Sequence, residues 1–388
     1  MDDATPSRAD VWKHARRVLA VRLDNLGDLL MTTPALAALR ESLPQAHITL
    51  LSTPSVAAAA NHLPMIDAAW SCAMPWTAQG AAQRDAAAPL GEAESALVAR
   101  LAQGCFDAAV IFTVSTQSPL PAALLVRMAG IPLRLAHCRE NPYGLLTDWV
   151  PETDEMASGM RHEVQRQLAL VRAVGCTTRD ERMRFEIAQA DRDTLARRLR
   201  HIGIAAGRPY VVMHPGATAA SRRWPPARFG QVAAELVQRS DCAVVFAGDG
   251  SDLPRVVAAL REVAQAEQPP AAPVVSLAGE LSLGELAALI DGAQVLVANN
   301  SAPMHLAAAL GTPVASLYAL TNPQHTPWRV PARVLSHDVP CRWCLQSVCP
   351  QQHHGCLRGI EPPRVLEAVL QLLPSTLRCD EPALEARA

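Results

Sequence analysis

The sequence predicts an α/β protein made of two successive doubly wound units. Three observations carry that expectation. Short β-rich runs recur along the chain as continuous apolar stretches, which marks parallel strands covered on both faces. Helical patterns lie between them, so strand and helix alternate as they do in βαβ units. Size agrees: 388 residues, 49 % apolar and 19 % charged, suit two or three domains with sizeable cores. The same composition excludes a disordered chain, which lacks the apolar area to offset its entropy.

In the first half, strands are expected at residues 18–24, 47–53, 68–73, 106–112 and 133–137, with helices at 29–43 and 92–102. The stretch 79–89 reads as a mobile loop. Residues 141–208 break the alternation with an Asn141-Pro142 turn, an acidic stretch at 152–155 and helical patterns at 162–174 and 191–202. The domain boundary is placed there, giving domains 1–185 and 186–388. The second half repeats the scheme, with strands at 210–216, 243–248, 274–278, 295–299 and 314–318 and helices at 226–239, 282–290 and 303–310. No short-period repeat links the halves; their likeness is architectural.

Lys plus Arg is 35 against 37 Asp plus Glu, a net charge of −2. That balance is poor for a nucleic-acid binder, which needs a basic field to displace counterions. Lys13 is the only lysine, so a phosphate-binding role elsewhere must fall to arginine. The first 17 residues have no apolar core, unlike a secretory signal, and no stretch is apolar enough to span a bilayer. Cysteines are too sparse for a disulfide scaffold. A cytoplasmic protein is expected.

Four loops at carboxyl ends of strands are the candidate site, since open α/β sheets bind ligands there. The first is Asn25-Leu26-Gly27-Asp28. Gly27 permits close backbone approach, and Asp28 reads either as a helix cap or as a carboxylate facing a ligand. One glycine is too few for a dinucleotide fingerprint. The second loop is His214-Pro215-Gly216 followed by Ser221-Arg222-Arg223-Trp224, where guanidinium forks suit a diphosphate or simply sit in solvent. In the third, Asn300-Ser301-Ala302-Pro303-Met304-His305, Ser301 is placed to cap a helix with Pro303 in its first turn. The N–H groups of such a start form an anion site; His305 reads as facing it or as a core histidine. In the fourth loop, Asp252 can bond a ribose or cap the next helix. Together these loops suit a nucleotide diphosphate held by the second half, with a carboxylate offered by the first across a cleft.

Cys341, Cys344, Cys349 and Cys356 lie within one short segment with His353 and His354 between them. They read as a thiolate site for zinc or iron, as reduced thiols filling a loop core, or as a disulfide pair. A metal there would pin a loop returning toward the first domain.

These residues resemble the family 9 glycosyltransferases, typified by bacterial lipopolysaccharide heptosyltransferases of the GT-B fold. The resemblance runs from Val18 to the last helix. It is carried by RLDNLGDLLMTTPALAALRESLP, HPGATAASRRWPPARF and LAGELSLGELAALIDGAQVLVANNSAPMHLAAALGTPV. It implies two Rossmann-like domains facing across a cleft, an acceptor-side domain first and a nucleotide-sugar domain second, with the last helix packing back on the first. It implies an inverting transferase that moves a heptose from ADP-heptose to a lipopolysaccharide or other cell-surface glycan, at the inner face of the cytoplasmic membrane with at most peripheral membrane contact. Asp28 then matches the family's general base, in an acceptor-side loop with Asn25 and Gly27. Arg222 stands where the family has a diphosphate-binding lysine. Thr218 falls in the phosphate loop, Asp252 near the ribose and Leu281 beside the adenine. Ser301, Met304 and His305 match the anion-binding helix start. Asn300 and Ala302 depart from the family's Asp and Gly, which leaves the donor sugar open. No cofactor is implied for transfer, although members of an autotransporter-heptosylating branch carry a cysteine-ligated iron. The competing readings are a GT-B nucleotide-sugar epimerase and a non-catalytic sugar-binding relative.

Overall fold

A computed structural model describes residues 7–77, 89–155 and 159–379. It divides into two compact units, Met1–Glu186 and Ile187–Ala388. In the first, β1 (Arg17–Arg22), β2 (His47–Ser52), β3 (Ala68–Ser71), β4 (Ala108–Phe112), β5 (Leu133–Cys138) and β6 (Asp148–Pro151) form one sheet in the order β3-β2-β1-β4-β5-β6. All of its pairings are parallel. The second contains β7 (Tyr210–His214), β8 (Ala243–Phe246), β9 (Val274–Ser276), β10 (Val295–Asn299), β11 (Val314–Leu317) and β12 (Ala332–Leu335), ordered β12-β11-β10-β7-β8-β9 and again parallel. Counted from its own first strand, each sheet has the same order. The direction of winding reverses between the first and fourth strands of each unit, and that reversal opens a crevice at their carboxyl ends.

The apolar runs become strands for the expected reason: β4, β7, β8, β10 and β11 are buried along their whole length. The sequence reading omitted two strands, β6 and β12. Both are four-residue edge strands carrying partly exposed positions, and β6 ends in Pro151. An edge strand is covered on one side only, so it lacks the continuous apolar signature.

One helix boundary changes. The helix after β1 spans Leu26–Ser42, starting three residues earlier than its apolar pattern suggested, because Asn25 is its N-cap. The helix Pro362–Leu372 was expected to pack back on the first half; its buried face, Val365, Leu366, Ala368 and Val369, belongs to the core of the second unit. The expected loop at 79–89 lies, apart from Pro89, outside the described residues. No helix among the described residues is long and apolar enough to cross a membrane.

Candidate active site

In the first unit the site begins with a charged residue at the end of an apolar strand. Arg22 closes β1 and is fully buried, with Asp24 at 3.2 Å, Asp28 at 3.6 Å and Glu163 at 3.3 Å. Burial opposes its charge, but the three carboxylates more than offset that and raise its pKa. The helix Glu163–Arg172 supplies a second buried cation, Arg166, which bonds Glu152 and lies 3.6 Å from Glu163. Gln167 donates to Glu163 at 2.6 Å and to the Thr113 carbonyl at 2.9 Å. Two buried arginines therefore alternate with four carboxylates under the end of the sheet. Such a network is costly to desolvate and costly to break.

Asp28 is the third residue of its helix. Its Oδ2 accepts the Asn25 N–H at 3.3 Å in a capping box, while Oδ1 faces Arg22. Asp28 therefore caps the helix and is also a partly exposed carboxylate beside a buried cation. Gly27 is buried in the same turn and Asn25 is exposed.

In the second unit, Asn299 ends β10 and ties three segments together. Its amide donates to the carbonyls of Pro215 (2.9 Å) and Gly216 (3.3 Å), and its Oδ1 accepts the Trp224 N–H at 3.1 Å. Gly216 has to be glycine: an added Cβ would lie 2.1 Å from the Asp252 carboxylate. Asp252 is buried, and Arg255 holds it at 2.8 Å. It makes no side-chain cap bond to the helix Leu253–Ala264, so the capping alternative is not realised. The Gly279 N–H meets the Gly248 carbonyl at 2.9 Å, which brings the loop carrying Leu281 beside that of Asp252.

Ser301 caps the helix Ala302–Leu310 with extended backbone, yet its hydroxyl turns back to the Asn299 carbonyl at 3.3 Å and makes no cap bond into the helix. Asn300 is buried with no partner at Oδ1. Burial raises the Tyr318 pKa against hydrogen bonds to the His325 backbone and the Asn300 side chain and the charge of Arg222, so Asn300 touches Tyr318 and Arg222 lies within electrostatic reach of it. Arg222 has a buried Nε without a partner. Arg223, by contrast, is spent on the loop: it donates to Ala217 at 2.7 Å and Thr218 at 3.1 Å. Thr218 is exposed, and Ala302 and Leu281 are partly exposed. His305 is buried, edge-on to His325 at 6.3 Å. Met304 departs from expectation: its side chain is fully buried and accepts the Ser316 hydroxyl at 2.9 Å, so it supports the helix start from beneath.

The cysteine segment also differs from its reading. All four cysteines are free thiols, with Cys341 Sγ 3.6 Å from His353 Nε2. Burial raises the Cys356 thiol pKa, and Cys349, Cys344 and Cys341 lie near enough to add to that, while among the described residues no group of three or more His, Cys, Asp or Glu side chains is arranged to hold a metal. The Ser221 N–H and hydroxyl bond the carbonyls of Ser347 (3.0 Å) and Gln346 (2.7 Å), and Leu345 N–H bonds Thr321 at 2.9 Å. The segment therefore braces the loops that carry Arg222 and Thr321.

Sequence reasoning missed Arg22, Glu163, Arg166, Asn299 and Tyr318. A signal existed for Arg22, a charge closing an apolar strand, and for Glu163, Arg166 and Gln167, which share one helix face at i, i+3 and i+4.

Two doubly wound units, one with a carboxylate and one with an open helix start at their strand ends, define a two-domain α/β group-transfer enzyme. The chain belongs to glycosyltransferase family 9 (heptosyltransferase), whose model matches residues 95–354, and it is a glycosyltransferase. It is 29 % identical to Lipopolysaccharide heptosyltransferase 3 of Escherichia coli over 78 % of this chain and 83 % of that protein. It is 27 % identical to Lipopolysaccharide heptosyltransferase 2 of E. coli K12 over 92 % of this chain and 98 % of the relative. The solved structure of E. coli ADP-heptose lipopolysaccharide heptosyltransferase II shares the fold, with a TM-score of 0.69 at 23 % identity over 92 % of this chain and 98 % of that one.

Proposed function

We propose that the protein is an inverting heptosyltransferase that moves a heptose from ADP-heptose to a lipopolysaccharide-type glycan. The first unit serves the acceptor and the second the donor. Relatives that are lipopolysaccharide heptosyltransferases along most of their length support the donor and acceptor classes. The observation that carries the chemistry is Asp28, a partly exposed carboxylate held beside the buried guanidinium of Arg22. The guanidinium fixes one face of the carboxylate and the rest stays partly exposed, where an acceptor hydroxyl can reach it, as a general base requires.

In the reaction, Asp28 takes the proton of the acceptor hydroxyl. The hydroxyl oxygen forms its bond to the anomeric carbon while the bond from that carbon to the diphosphate oxygen breaks, so the configuration inverts and ADP leaves. Arg222 and the N–H groups at Ser301 and Ala302 meet the charge on the departing diphosphate, an electrostatic contribution that acts where charge develops. Asp252 bonds the ribose, and Leu281 covers the adenine. Thr218 offers its hydroxyl to the phosphates, with His305 beneath them. Asn300 and Ala302 shape the pocket for the donor sugar. Asn25 and Gly27 border the acceptor. The protein works in the cytoplasm, at the inner face of the membrane that holds a lipid-linked acceptor.

A screen of ADP-, GDP-, UDP- and dTDP-sugars, read by nucleotide release with a deacylated lipopolysaccharide core, tests this. ADP-heptose should be turned over at the highest kcat/KM. A preference for another nucleotide would overturn the donor assignment.

A further inference from the structure

The first unit has its own crevice at the reversal of strand order, and a cavity of ≈ 230 Å³ lies there. Its walls come from the ends of β1 and β4, the two strands between which a doubly wound sheet binds ligands. Trp76, Phe112 and Pro121 give it apolar faces, and Asp24, Thr113 and Gln117 give it a polar edge. A small apolar pocket with a few converging polar groups is the usual form of a binding site.

The polar edge is built rather than incidental. Gln117 Nε2 donates to Asp24 Oδ1 at 2.6 Å, and the Val114 N–H returns a bond to Gln117 Oε1 at 3.4 Å. Asp24 Oδ2 lies against the buried Arg22. Each carboxylate oxygen has two acceptor positions, so Asp24 retains capacity on both. Thr113 Oγ1 is buried and has no partner. On the apolar side, a turn closed by the Thr77 N–H on the Met74 carbonyl at 2.9 Å presents Trp76, which is 39 % exposed although Met74 is buried.

We infer that this cavity is the subsite for a neutral sugar ring of the acceptor, with Trp76 under the apolar face of the ring and Asp24 and Thr113 bonding its hydroxyls. This rests on the glycosyltransferase reading of Asp28, because Arg22 links the two carboxylates: Asp24 and Asp28 are held by the same guanidinium. A hydroxyl bonded to Asp24 therefore sets a neighbouring hydroxyl of the same ring toward Asp28. The ring is neutral because the acidic group at the polar edge would repel an anionic substituent. Arg22 lies behind that edge, fully buried, with three carboxylates around it. Asp24 accepts from the ring hydroxyls through the positions that Gln117 and Arg22 leave open.

Saturation-transfer NMR with a methyl heptopyranoside and with its phosphate monoester, on wild type, Trp76→Ala and Asp24→Asn, tests the subsite. ADP affinity is measured in parallel by calorimetry. The neutral glycoside should bind wild type at least about tenfold more tightly than either variant and than the phosphorylated probe, with ADP affinity equal in all three proteins. Trp76 lies at the surface, so its truncation leaves the core intact. Equal glycoside affinity in wild type and Trp76→Ala, no glycoside binding to wild type, or a preference for the phosphorylated ring would each overturn the inference. Failure of wild type to bind ADP would overturn the donor assignment alone, and the glycoside result would still judge the cavity.

Discussion

Asn299 and Trp224 are 75 positions apart, and the side-chain oxygen of the first accepts the backbone N–H of the second at 3.1 Å. Through the same amide, Asn299 also holds the carbonyls of Pro215 and Gly216. One buried side chain thus fixes the end of β10, the loop after β7 and the start of the arginine segment. Replacing it with Leu strands those buried groups without partners. We expect a loss of about 2–3 kcal/mol in urea unfolding, together with weaker ADP binding by calorimetry.

Asp28→Asn separates the two roles of that side chain. The amide oxygen can still accept the Asn25 N–H, so the helix start survives. Base catalysis is lost, and kcat should fall by about 10²–10⁴ while ADP affinity stays within twofold. Wild-type turnover by this variant would remove Asp28 as the base.

Arg22→Met should be among the most damaging substitutions in the first unit. It leaves Asp24, Asp28 and Glu163 without their shared cation, a cost of about 3–5 kcal/mol for a broken buried pair. Glu163→Gln alone also destabilises, but the double variant should lose less than the sum because the two charges are coupled. Chemical denaturation of the four proteins closes the cycle.

Glu285 provides a pH test of stability. Its burial raises its pKa, but the Ser282 N–H at 2.8 Å and Arg198 at 3.0 Å outweigh that and lower it below the ordinary 4.5. A carboxylate with a lowered folded-state pKa stabilises the protein above its unfolded pKa and loses that contribution as pH falls through the folded value. Glu285→Gln should therefore cost about 1 kcal/mol at pH 7, and the difference from wild type should shrink steadily below pH 4.5.

Ser221→Ala removes the hydroxyl bond to the Gln346 carbonyl and loosens the cysteine segment from the loop of Arg222. A lost bond of about 1 kcal/mol predicts a several-fold rise in the ADP dissociation constant, measured by calorimetry.

Much of this was legible in the chain. The helix over 226–239 begins and ends where Pro226 and Arg239 place it. The positions of Asp28, Ser301 and Asp252 at strand ends followed by polar turns were legible, a signal written locally in a few consecutive residues. Met304 could not be placed from the sequence: its side chain enters the core beside Ser316. That direction depends on the helix phase relative to β11, which no single segment carries. The cysteine segment looked like a ligand set because its spacing was visible. What it braces was not, since Ser221 and Gln346 are 125 positions apart.

By itself, the sequence determined the alternation of buried strands and helices, the two-unit organisation and the loops that end each strand, all consequences of short-range apolar periodicity. It also settled that arginine, not lysine, supplies positive charge beyond Lys13. Only the tertiary structure decided the strand order that opens each crevice and the sharing of Arg22 among Asp24, Asp28 and Glu163. It alone placed Trp76 over the cavity at the ends of β1 and β4. These depend on which distant segments meet, and buried charges make such meetings specific because an unpaired one is too costly to keep.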